Sequence, residues 1–156
     1  MKPKVYLETT IVSYLVASPT PDIIQSAHQQ VTRAWWARRE RFDLFVSRPV
    51  LAEAGRGDAA AAARRLEALT GIPVLAVSRG VAALANTLLR TRALPSKARL
   101  DAIHVAMAAV NGMDYLLTWN CRHLANAAIR GKIEGACREA GMHPPIICTP
   151  EELMET

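Results

Sequence analysis

Asp101 stands in a stretch, LDAIHVAMAAV, in which every residue is apolar except itself and His104. An ionised carboxylate in such surroundings carries a desolvation penalty of order several kcal/mol unless a cation or a hydrogen-bond network compensates it. Three other oxygen-bearing side chains follow apolar runs in a similar way. Glu8 comes directly after Val5-Tyr6-Leu7, Glu53 lies in PVLAEA, and Asn120 ends DYLLTWN. Carboxylates and an amide gathered at one place would repel one another without a cation. As hard ligands they suit Mg²⁺ or Mn²⁺, which bind few carboxylates and keep several waters. A centre of this kind activates water and stabilises charge on a phosphoryl oxygen. Each residue also has a plainer reading. Glu8 could cap the turn it begins with Thr9 or Thr10, Glu53 could lie on a solvated face, Asp101 could pair with Arg99 or Lys97, and Asn120 could make an Asx turn. His104 is read as a buried hydrogen-bonding residue, and His123 as a helix-start or packing residue.

The elements that would position these groups alternate between two periodicities. Short β-prone runs fall at 5–7, 42–47, 73–77, 114–118 and 145–148. Helical patterns fall between them. A helix turn is expected over 11–16, and Asp22 caps a helix over 23–39 with an apolar stripe of Ile24, Ala27, Val31, Ala34 and Trp35. Pro49 opens a helix near its favoured first position. Asp58 caps a helix over 59–69, Ser78 one over 79–90, and Pro95-Ser96 starts a buried helix over 97–111 that Gly112 stops. A further helix is expected over 123–139, with Gly131 or Gly135 as break points, and Thr149-Pro150-Glu151-Glu152 reads as a capping box. Strands alternating with helices predict an α/β fold with a mostly parallel five-stranded sheet. Sites in such sheets form beyond the carboxyl ends of the strands, the edge where Glu8, Glu53 and Asn120 would lie. A single domain over 1–156 is expected.

Composition narrows the classes. The chain is 51% hydrophobic and 21% charged, which suits a globular protein and excludes a disordered one. It carries 19 Lys and Arg against 14 Asp and Glu, and fifteen of the basic residues are arginine. Arginine's planar fork favours polyanionic partners; Arg48, Arg56, Arg79, Arg122 and Lys97 are the candidates for substrate phosphates. Trp35, Trp36 and Trp119 are read as core or interface residues rather than base-stacking platforms. Three widely spaced cysteines, with no CxxC pair, argue for reduced thiols and a cytoplasmic location. No signal peptide or membrane-spanning run is expected.

VYLETTIVSYL, PVLAE, LDAIHVAMA and LLTWNCRHL, in that order, resemble the PIN-domain ribonucleases, particularly the VapC-type toxins of toxin–antitoxin modules. The resemblance spans nearly the whole chain, to the closing ICTPEEL. It implies a three-layer α/β/α fold around a parallel sheet and Mg²⁺- or Mn²⁺-dependent endonucleolytic hydrolysis of RNA, leaving a 3′-hydroxyl and a 5′-phosphate. It further implies a homodimer and a small antitoxin partner. The family's acidic quartet falls on Glu8, Glu53, Asp101 and Asn120, with Glu8, Asp101 and Asn120 as metal ligands, and Thr118 matches the hydroxyl residue before the fourth position. Glu53 would hold or deprotonate the attacking water. Two positions depart from the commonest pattern. Glu8 replaces the usual Asp and reaches one methylene further. Asn120 replaces a frequent Asp and removes about one charge, which weakens a second metal. A catalytically weak or inactive RNA- or protein-binding module on the same fold is the alternative. A phosphatase with an aspartyl nucleophile fits poorly, since Thr10 stands where its second acid belongs, and a signal receiver lacks an Asp at Val77-Ser78-Arg79.

Overall fold

In the computed structural model, which describes residues 1–154, five strands form one parallel sheet: β1 (Lys4–Leu7), β2 (Asp43–Ser47), β3 (Val74–Leu75), β4 (Tyr115–Leu117) and β5 (Ile146–Cys148). Their spatial order is β3-β2-β1-β4-β5. Residues 155 and 156, the last two of the expected single domain, lie outside the described residues. Every pairing is parallel, with Val5 opposite both Leu44 and Tyr115. The sheet grows outward from β1 in one direction to β3 and in the other to β5. Crossovers of constant hand therefore place helices on opposite faces for the two halves. One group is α1 (Thr9–Val16), α2 (Ile23–Trp36), α3 (Arg48–Ala54) and α4 (Ala59–Ala68). The other is α5 (Arg79–Arg90), α6 (Arg99–Val110) and α7 (Ala127–Glu139). The expected α/β/α layering is thus met, and the sheet is parallel throughout.

Central strands of a sheet covered on both faces must be apolar on both. Val5, Tyr6, Leu7, Val46, Leu116 and Leu117 are all inaccessible to solvent. The buried helix is α6, in which Ala102, Val105, Ala106, Met107 and Ala108 have no measurable exposure. It begins two residues later than Pro95-Ser96 suggests, because Ala98 occupies the cap and offers no side-chain hydrogen bond. Asp101 consequently sits in the first turn, partly exposed, where its charge meets the positive end of the helix. His104, one turn further in, is the deeply buried polar group of this helix.

Other expectations are corrected by tertiary contacts. The inward face of α2 is Gln29, Thr32 and Trp35, while Ile23 and Ile24 are 85% and 68% exposed and Ala27 and Ala34 face solvent. The helix ends at Trp36, and a 3-10 turn follows over Arg39–Arg41. Strand β3 keeps two residues of the expected five. α7 starts at Ala127 because residues 121–125 wind into turns around Asn120, whose backbone carbonyl accepts from Leu124 and Ala125. It continues unbroken through Gly131 and Gly135. No described helix is long and apolar enough to cross a membrane.

Candidate active site

The direction in which the sheet grows reverses between β1 and β4, the kind of point where open α/β sheets bind ligands. Beyond the carboxyl ends of these two strands, Glu8 and Thr118 follow Leu7 and Leu117 directly, and the backbone N–H of Glu8 donates to Leu117 O. Glu8 is 5% exposed and caps α1, accepting from Thr10 N at 3.1 Å and from the Thr10 hydroxyl. The Thr118 hydroxyl donates to the same oxygen at 2.7 Å. All three bonds go to Oε1, and Oε2 receives none from the described residues. The capping role and a place in the acidic cluster therefore belong to one side chain.

Glu53 is built the same way. It projects from α3, a helix set by the Ser47 cap and Pro49. Its Oε1 accepts from the Thr9 hydroxyl at 2.7 Å and lies 2.7 Å from His104 Nε2. Its Oε2 also receives no hydrogen bond among the described residues. Burial pushes the Glu53 carboxyl up, but the hydrogen bonds from His104 and Thr9 and the nearby Arg56 charge outweigh it and hold it below the usual range. Glu8, Glu53 and His104 each bring one ligand-type atom within 4.8 Å of the others.

Asp101 and Asn120 form an adjoining pair. Asn120 Nδ2 donates to Asp101 Oδ1 at 3.1 Å, and His123 Nδ1 lies 2.9 Å from Asp101 Oδ2. The Asn120 oxygen accepts from the backbone N–H groups of Arg122 and His123 at 3.2 and 3.1 Å. Those donors fix which end of the amide is which. Asn120 thus makes the Asx turn and steadies Asp101 with its amide, and its oxygen is already engaged. Thr118 Oγ1 joins the two halves by also accepting from Asn120 N at 2.9 Å. Asp101 meets Asn120 and His123 rather than Arg99 or Lys97; Arg99 reaches Asn86 instead.

Sequence reading placed His104 as a buried hydrogen-bonding residue but did not connect it with Glu53, nor His123 with Asp101. The i, i+3 spacing of Asp101 and His104 was the available signal. Thr10 is the capping partner of Glu8 that the sequence offers, whereas Thr9, Tyr6 and Ser47 carried no signal for the bonds they make here, because those partners are remote in sequence. Of the basic candidates, Arg56 is close enough to Glu53 for its charge to act on it, Arg122 meets Asn120 through its backbone N–H, and all five are exposed. Trp35 stacks on Phe42, and Trp119 is buried with its indole N–H donating to Thr32 Oγ1 at 2.7 Å, which is the core reading. A shallow cleft of about 540 Å³ lies at the opposite, amino-terminal end of the strands, lined by residues including Lys2, Lys4, Asp114 and His143. Among the described residues, Asp114 is the one carboxylate in its lining, so it holds no cluster comparable to that at the carboxyl end.

No family profile and no curated protein matches the sequence. Among solved structures, the chain is similar to one described as the crystal structure of VapBC2 from Rickettsia felis bound to a DNA fragment from their promoter. The TM-score is 0.58 at 14% identity, over 94% of this chain and 98% of that one. At this identity the likeness establishes the fold, which is PIN-like.

Proposed function

We propose that the protein is a metal-dependent endoribonuclease, the toxin of a toxin–antitoxin pair, acting on RNA as a homodimer with a small antitoxin that blocks its site. The observation that carries this reading is the paired design of Glu8 and Glu53. Each is anchored through Oε1 by donors from its surroundings and leaves Oε2 without a hydrogen bond among the described residues, and one carboxylate oxygen of each lies within 4.8 Å of one of the other. Hard carboxylate oxygens at a strand-end crevice fit Mg²⁺ or Mn²⁺. Such an ion, when bound, supplies charge stabilisation and lowers the pKa of water. Glu8 and Glu53 would hold it through Oε2, with Asp101 contributing the remaining lone pairs of its oxygens. Asn120 keeps Asp101 in place, and Thr118 keeps Glu8 and Asn120 in register. Arg56 and Arg122 stand where flanking phosphates of an RNA strand would pass. The fold-level likeness to a VapBC2 structure supports the toxin class, and the absence of a membrane-crossing helix among the described residues is consistent with a cytoplasmic site of action.

The test is cleavage of RNA by the purified chain with Mn²⁺ or Mg²⁺, with chelator, and by Asp101→Ala. Cleavage that needs the ion, leaves 5′-phosphates and falls at least tenfold in the variant is expected, about 1.4 kcal/mol of transition-state stabilisation or more. Cleavage that persists in chelator, or an unimpaired variant, would overturn it. A second reading, an RNA- or protein-binding module without catalysis, is favoured by one observation: the Asn120 oxygen is engaged by backbone and adds no charge. It predicts salt-dependent RNA binding with no cleavage even in Mn²⁺.

A further inference from the structure

Beneath Glu53 a line of polar side chains runs into the core. Ser47 Oγ lies 2.7 Å from Tyr6 OH, Tyr6 OH lies 2.6 Å from His104 Nδ1, and His104 Nε2 lies 2.7 Å from Glu53 Oε1. Tyr6 and Ser47 are 0% exposed and His104 1%, so the hydrogens have only one another to point at.

We propose that Ser47, Tyr6 and His104 form a hydrogen-bond chain of fixed direction that keeps His104 Nδ1 as an acceptor and the ring hydrogen on Nε2, making it a positioning donor to Glu53 and not a metal ligand. Counting hydrogens assigns the direction. Ser47 Oγ accepts from Val50 N at 3.2 Å as the cap of α3, and its own hydrogen needs an acceptor. Tyr6 oxygen is the acceptor available. Tyr6 in turn donates to Nδ1, which leaves the imidazole hydrogen on Nε2, aimed at Glu53. Reversing the chain puts a hydrogen on Nδ1, sends the Tyr6 hydrogen to Ser47, and leaves the Ser47 hydrogen without an acceptor among the described residues. An unpaired buried hydroxyl is the more costly state. Burial also pushes the Tyr6 phenol far above its usual range, so its hydrogen stays in place to be donated.

Two consequences follow for the acidic cluster. Although His104 lies within ligand distance of Glu8 and Glu53, both its nitrogens are engaged and neither offers a lone pair to an ion. Glu53 Oε1 is held by two donors, Thr9 and His104, which fixes the carboxylate and leaves Oε2 without a hydrogen bond among the described residues. Residues that orient a metal-binding carboxylate in this way commonly change metal affinity by about 10–100-fold when removed. This second consequence rests on the proposed metal centre, whereas the tautomer does not.

Long-range ¹H–¹⁵N correlation of the His104 ring, in the metal-free full-length wild-type chain at neutral pH, reads the tautomer directly. A proton on Nε2 with a bare Nδ1 is expected; a proton on Nδ1, alone or with one on Nε2, would overturn the assignment. Mn²⁺ affinity measured by calorimetry then separates positioning from ligation. His104→Gln retains one N–H and one acceptor oxygen and should stay close to wild type, while His104→Leu should lose about 10–100-fold. Equal losses in the two variants would count against a positioning role. If wild type shows the Nε2–H tautomer yet binds no Mn²⁺, the hydrogen-bond chain stands and the metal centre falls.

Discussion

Glu8, Glu53 and Asp101 each sit in hydrogen bonds made through their carboxylate oxygens, and the consequences differ residue by residue. At Asn120 the side chain donates to Asp101, so an acid there would place two carboxylates in direct contact. Asn120→Asp should therefore lower the melting temperature in chelator and be stabilised more than wild type by added Mn²⁺, because two carboxylates at that distance repel unless a cation or a shared proton lies between them. Thermal unfolding with and without Mn²⁺ measures both, and a variant no less stable than wild type in chelator would contradict the geometry. Glu53 gives a pH signature. Its folded carboxyl titrates below the 4.5 of a free glutamate. The stability it contributes is full above the unfolded value and is lost as pH falls through the folded one. Metal-free wild type should thus lose urea resistance more steeply below pH 4.5 than Glu53→Gln does, and parallel curves for the two would refute the shift.

Among the elements, the helix starts were legible where the signal is local. Asp22, Asp58 and Ser78 each accept a backbone N–H three residues on, as their types and positions announce. Thr149 and Glu152 exchange bonds reciprocally as a capping box does. The face of α2 was not legible, because what turns it inward comes from elsewhere. Thr32 accepts from the Trp119 indole 87 residues away, and Gln29 donates to Ser18 O. Trp35 and Val31 of the stripe that periodicity selects do face the core, but the polar Gln29 and Thr32, with their fixed partners, take the places expected for Ile24, Ala27 and Ala34. Thr32→Val should cost about 1–3 kcal/mol by leaving a buried indole N–H unpaired, whereas Ile24→Ser, on the exposed side, should change stability by less than about 0.5 kcal/mol. Urea denaturation of the two variants decides it; the reverse order would mean that the outer face of α2 is covered in solution.

For the molecule as a whole, alternation of strands and helices foretold the sheet, and the strand ends foretold where Glu8 and Asn120 would lie. What it left open is how the acidic groups divide. His104 rather than Asp101 carries the deep burial, since α6 begins late and leaves Asp101 in its first turn. The site is assembled from the end of β1, from α3, from α6 and from the turn after β4, parts that meet only in the folded chain. An ion held by Glu8, Glu53 and Asp101 would therefore bind the native state and not the unfolded one, and its binding energy would appear as global stability. At a concentration one hundred times its dissociation constant, this linkage adds about 2.7 kcal/mol. For a chain of this size that corresponds to a rise in melting temperature of roughly 5–10 °C. Mn²⁺ titrated into the wild-type chain should produce such a rise, saturating with the directly measured affinity. In Glu8→Ala, which removes an anchored carboxylate from the centre, the rise should be greatly reduced at the same Mn²⁺ concentrations. A shift that is the same size in that variant would place the ion elsewhere, for instance at the opposite end of the strands.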